Sequence, residues 1–156
     1  KIQRDLLAMK EREAEAKYEK SLLDELLKQN RMALPEGLVQ RRRDHLTERA
    51  VENFLKRGAP EVKAEELKEK LKPDFEIEAR RQVHVAFLLD EIANQEQIRV
   101  SEEDLRQRYR RLAAEYRQPS ETIEKYYAEH PSAREALQDQ IRNEKAIEFI
   151  KRNAKE

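Results

Sequence analysis

Val83-His84-Val85-Ala86-Phe87-Leu88-Leu89 is an apolar run broken only by one histidine, in a chain that is 42% charged. A run of this kind suits either a buried strand or a buried helix, and its length and neighbours decide between them. The flanks, Glu76 to Arg81 and Asp90 to Glu96, are rich in Glu, Ala and Arg. Phe75, Ile77, Ala79, Val83, Ala86, Leu89 and Ala93 recur along one side at helical spacing, and Ile77, Val85, Leu88 and Ile92 lie on another. Helix is the consistent reading, and apolar groups on more than one side mean burial against several neighbours. The expected core is Phe75, Val83, Ala86, Phe87, Leu89, Ile92, Leu105 and Leu112.

Working outward, the same composition holds everywhere. The 156 residues include 2 glycines and no tryptophan or cysteine, with 33 basic groups against 33 acidic ones. Mean hydropathy is −1.07. This is the composition of helices with much surface. Charge neutrality gives no single-sign field of the kind that draws nucleic acid or an anionic membrane. Without cysteine there is no disulfide and no thiolate metal site. No apolar stretch approaches the ~20 residues that span a bilayer, and no secretory signal is visible. The chain begins at Lys1 in mid-helix pattern and reads as a piece of a longer protein.

Residues 1–30 hold no Gly or Pro and are dominated by strong helix formers. Apolar groups cluster at the two ends, Ile2, Leu6, Leu7 and Met9, then Leu22, Leu23, Leu26 and Leu27. The expectation is a long connecting or arm helix of ~45 Å, gripped at both ends and wet in the middle. Pairs at i,i+4 such as Asp24 with Lys28 would support it by ~0.2–0.5 kcal/mol each. Pro35 opens a second helix that stops at Gly58-Ala59-Pro60. A short charged helix from Glu65 to Leu71 is expected to end at Pro73, where the helix of the apolar run would begin. Ser101 with Asp104 reads as a capping box. Pro119 and Pro131 open the last two of six or seven helices.

Chemistry is sparse. None of His45, His84 and His130 has a second histidine or cysteine at i+3 or i+4, so no helical metal pair forms. His45 with Glu48 is better read as a solvated pair than as ligands, and His84 as a satisfied core histidine. Phosphate-loop, dinucleotide and nucleophile-elbow motifs are absent. No catalytic residue, metal or cofactor is expected. Arg41-Arg42-Arg43 and Arg108-Tyr109-Arg110-Arg111 are local basic patches, and an RNA-binding helical module is one alternative they raise. Helical spacing instead puts Tyr109 on the stripe of Leu105 and Leu112, as core. Another alternative is a scaffold with a helical spacer. The remaining signal is apolar surface, and flexible groups such as Met9 and Met32 suit variable partners.

A long charged helix leads to Leu26-Leu27 and Leu34-Pro35-Glu36-Gly37-Leu38-Val39. Ala79-Arg80-Arg81-Gln82-Val83 then precedes Phe87-Leu88-Leu89-Asp90-Glu91-Ile92-Ala93. Ile98 to Leu105 and Tyr116-Arg117-Gln118-Pro119, with Tyr126, follow. These motifs in this order resemble the C-terminal domain of bacterial trigger factor. The periplasmic SurA-like chaperones share the helical cradle. The resemblance implies an all-α, elongated multi-helix domain with protruding arms: residues 1–156 form one helical chaperone domain, with 1–30 the connecting helix and 35–156 body and arms. It implies a cytoplasmic, ribosome-associated chaperone that holds nascent or unfolded polypeptides and assists folding and export. The ribosome-docking loop and the isomerase sheet of that family have no counterpart here, so ribosome contact would run through other domains and the chain would not be an enzyme. Client contact is expected at Ile2, Leu6, Met9, Met32, Leu34 and Leu38. A homodimer is a further expected partner, a membrane or a direct nucleic-acid partner is not.

Overall fold

The computed structural model describes residues 2–58 and 63–154, with the side chains of residues 2–6 excepted. Six α-helices make up the described chain, with no strand: α1 (Ile2–Gln29), α2 (Glu36–Lys56), α3 (Ala64–Gln95), α4 (Glu102–Tyr116), α5 (Ser120–Glu129) and α6 (Pro131–Ala154). The all-α expectation holds. None of the described helices is long and apolar enough to cross a membrane. The chain divides into two compact units, residues 1–88 and 89–156, with α3 contributing to each.

In the first unit α2 and α3 pack through Val39 and Ala79, both without exposed surface, and through Val83. Leu34 and Leu46 close over this cluster. The small Ala79 lets α2 approach α3 closely, and Val39 fills the contact. Thr47 is equally enclosed and satisfies its hydroxyl by donating to the Arg43 carbonyl at 2.8 Å. Polar ties run alongside: Arg80 donates to both oxygens of Glu36 at 2.7 and 2.8 Å, and Arg43 pairs with Glu76 at 3.3 Å. α1 is anchored at its carboxyl end, where Leu23 is buried and Asp24 accepts from Arg81 at 2.8 Å.

Several expectations are corrected here. α3 does not stop at Pro73. It runs through the proline, which removes only one backbone donor while the surrounding Glu, Lys and Ala keep the helix intact. Ala86 and Phe87, expected in the core, are exposed, because the partners of α3 cover the side that bears Ala79 and Val83. Phe75, Ile92 and Leu112 are half-buried, whereas Val83, Leu89 and Leu105 are buried as expected. His84 is half-buried rather than core. Its Nε2 lies 2.7 Å from the Asn30 carbonyl, which only accepts, so this nitrogen carries the proton. The amino-terminal half of α1 is not gripped at Leu7 or Met9, each 59% exposed. Asp24 goes to Arg81 instead of Lys28, which pairs with Glu25 at 3.6 Å. At the end of α2, Gly58 adopts φ +92, the left-handed stop that glycine favours, while Ala59 and Pro60 lie outside the described residues.

The second unit is built on α4, α5 and α6. Leu105, Tyr109, Leu137 and Ile141 form its core, with Val100, Leu112, Ile123 and Tyr127 packed against them. Tyr109 stacks on Tyr127 with ring centroids 5.3 Å apart. Burial pushes both phenols above their usual pKa. The capping box closes as expected: Ser101 Oγ accepts from the Asp104 amide, and the Asp104 carboxylate accepts from the Ser101 amide at 2.8 Å. Lys145 adds a third donor at 2.7 Å. Together these hold the Asp104 carboxyl at a pKa of about 2, against a usual 3.8.

Candidate functional site

Two grooves on different faces of α3 carry part of the exposed apolar surface of the first unit. The first, of about 600 Å³, is floored by Leu27, Met32, Ala33, Leu34 and Ile77. Its rim is Arg31, Arg80, Arg81, His84 and Glu36. Two of these arginines are already engaged, Arg80 by Glu36 and Glu76 and Arg81 by Asp24. The Arg80 hydrogen bonds hold the Glu36 carboxyl below its usual range, and Glu36 in turn raises Arg80. Arg80 and Arg81 are thus neutralised by the protein's own carboxylates. Ile77 is 79% exposed, the most exposed large apolar side chain described.

The second groove, of about 370 Å³, lies between α2 and the face of α3 that carries Ala86 and Phe87. Its floor is Leu38, Val83, Ala86 and Phe87, and its rim is Arg41, Arg42 and His45. No carboxylate lines it. Arg42 donates to the Gln82 carbonyl oxygen at 2.6 Å, a neutral partner.

Of the six side chains expected to meet a client, Met32 and Leu34 come together in the first groove and Leu38 lies in the second. Met9 is exposed on α1 in neither groove. The side chains of Ile2 and Leu6 lie outside the described residues. Sequence reasoning missed Ile77 and placed Phe87 in the core. The signal for Ile77 was present: Arg80, Arg81 and His84 at i+3, i+4 and i+7 make its next neighbours on the helix surface polar. An isoleucine at such a position has nothing of its own chain to cover it.

The basic patches resolve differently. Tyr109 is buried, Arg108 pairs with Glu144 and Arg110 with Glu103, so the second patch is part of a packed, charge-paired surface. In the first patch Arg43 pairs with Asp44 and Glu76, which raises its pKa, and only Arg41 and Arg42 face the second groove.

Comparison with known proteins bears on these surfaces. Residues 1–152 match the family described as the bacterial trigger factor protein C-terminus. That region is the non-catalytic chaperone part of trigger factor. The chain is 32% identical over 150 residues to a trigger factor of Anaeromyxobacter dehalogenans, covering 96% of this chain and 35% of that protein. It is 32% identical over 134 residues to one of Glaesserella parasuis (86% and 30%) and 29% identical over 156 residues to one of Geotalea uraniireducens (97% and 35%). The chain therefore spans about a third of the length of the curated relatives it matches.

Proposed function

The chain belongs to the trigger factor C-terminal family, which supports a chaperone-type role, and from that premise we propose that its first unit holds nascent or unfolded polypeptide in the two apolar grooves. The observation that carries this is Ile77, standing 79% exposed with Met32 and Leu34 in an open groove where Arg80 and Arg81 are already held by carboxylates. Burying such surface is worth about 25 cal/mol per Å². Each small patch then gives weak contact in rapid exchange, and several patches on one chain add affinity without sequence specificity. The charged faces keep so much apolar surface soluble and disfavour folded, charged proteins.

On this reading residues 1–156 act as one chaperone region, with Met9 and the amino-terminal Ile2 and Leu6 as further contacts along α1. Ribosome contact and prolyl isomerisation would belong to the remaining two thirds of the relatives' length, and two copies could cover each other's grooves when no client is present. The setting would be the cytoplasm. The test is light scattering of a chemically unfolded protein diluted into buffer with a few molar equivalents of this chain. Suppression of aggregation that persists in moderate salt is expected. A folded chain that fails to suppress it at any ratio would remove the holding role from these residues.

A further inference from the structure

The second groove differs from the first in one respect that its apolar floor does not explain. Several described arginines meet a carboxylate, as Arg43, Arg80, Arg81, Arg108, Arg110, Arg134 and Arg142 do. Arg41 and Arg42 do not. Both line the groove floored by Leu38, Ala86 and Phe87, together with His45. Arg42 spends one donor on Gln82, and the Gln82 amide passes its own hydrogen bond to Glu78 at 2.7 Å. The local carboxylates are committed elsewhere: Asp44 to Arg43, Glu48 to Lys68, Glu76 to Arg43 and Arg80. The groove therefore presents exposed apolar side chains, Leu38 at 37% and Phe87 at 39%, beneath guanidinium groups with no acid of their own.

We infer that this groove selects, among unfolded segments, those in which apolar residues are flanked by Asp or Glu. The inference rests on the client-holding reading and names the chemistry of one of its two sites. The apolar side chains of the segment would lie on Phe87, Ala86 and Leu38, and its carboxylates would take the free donors of Arg41 and Arg42, bidentate where the fork is unobstructed. The first groove, where Arg80 and Arg81 are already paired and Glu36 shares the rim, would respond less to flanking charge.

The experiment compares three peptides with the same apolar centre, flanked by Glu, Ser or Lys, titrated into the chain by calorimetry at low and moderate salt. The Glu-flanked peptide is expected to bind about five-fold more tightly than the Lys-flanked one, from two exposed charge pairs. The advantage should shrink as salt rises. In an Arg41→Ser, Arg42→Ser variant the three peptides should converge on the affinity of the Ser-flanked one, with melting unchanged because both side chains are on the surface. A Phe87→Ser variant should lower all three. Equal binding of the Glu- and Lys-flanked peptides to the unaltered chain overturns the inference and leaves client holding intact, whereas no binding of any of them overturns both. An oligouridylate that binds as tightly as the Glu-flanked peptide and is lost with Arg41 and Arg42 would make this a nucleic-acid site instead. A dimer in sedimentation that dissociates in the Phe87→Ser variant would make the occupant a second copy of the chain.

Discussion

Lys145 donates to the Asp104 carboxylate that already closes the first turn of α4 on Ser101, so a single side chain both caps α4 and ties it to α6. The pH consequence follows from its low pKa. The carboxylate is stabilised in the folded state, so its contribution is complete above the unfolded value near 3.8 and is lost as pH falls through about 2. The second unit should lose stability between about pH 4 and pH 2, followed by circular dichroism. Asp104→Asn should flatten that dependence and cost about 1 kcal/mol at neutral pH. A variant with an unaltered acid profile would show that other carboxylates dominate.

Pro73 sits inside α3, where it leaves the Glu69 carbonyl without its helical amide partner. Pro73→Ala restores that donor and a better helix former. Melting should rise, with a gain of up to about 3 kcal/mol, the full interior penalty of proline. A fall in melting temperature would mean that the proline's ring or its local geometry is needed for packing.

Val39 and Ala79 meet with no exposed surface on either, so the spacing of α2 and α3 is set by a methyl group. Ala79→Leu should cost about 1–3 kcal/mol through overpacking, and Val39→Ala about 1–3 kcal/mol through the loss of two buried methyl groups and the cavity left behind. Chemical denaturation measures both, and an Ala79→Leu variant of unchanged midpoint would mean that the helices separate freely.

Ile77 and Met32 carry little of the fold because they are exposed. Ile77→Ser with Met32→Glu should leave the melting temperature within a degree or two, since surface changes are worth about 0.5 kcal/mol. Client affinity should fall about five-fold. The same holds in kind for Met9→Glu with Met32→Glu, in which retained client affinity would exclude those two methionines from the contact surface.

The helices themselves were legible because helix formers, prolines and the Ser101 cap all point the same way. What was not legible depends on which neighbour arrives. The run from Val83 to Leu89 is continuously apolar, yet only the side of α3 met by α2 near Val39 is covered, and Ala86 and Phe87 stay outside. Two chain reversals also lacked their usual sign. Gln97 and Arg117 adopt φ 52 and 53 without being glycine, and Ile98 and Gln118 donate back to the Ala93 and Ala113 carbonyls at 2.8 and 2.9 Å. Backbone hydrogen bonds at these ends outweigh the modest left-handed strain, which no composition rule displays. At the grooves, Met32, Leu34 and Leu38 were conspicuous beside Pro35, while Ile77 stood among the apolar residues along the helix of the Val83 to Leu89 run and was singled out neither as core nor as contact. That Arg41 and Arg42 lack acids while Arg43 has two is a matter of direction around one turn of helix, invisible in Arg-Arg-Arg.

The middle of α1, from Lys10 to Tyr18, is exposed along its whole length, and the first buried apolar residue among the described side chains is Leu23. Amides there are guarded only by the hydrogen bonds of the helix itself, so deuterium should enter them on the clock of local helix opening, well before it reaches the amides around Leu23 or the α2–α3 contact. On the proposed client-holding role, such a stretch would let a bound segment meet a changing surface along α1 rather than a fixed one.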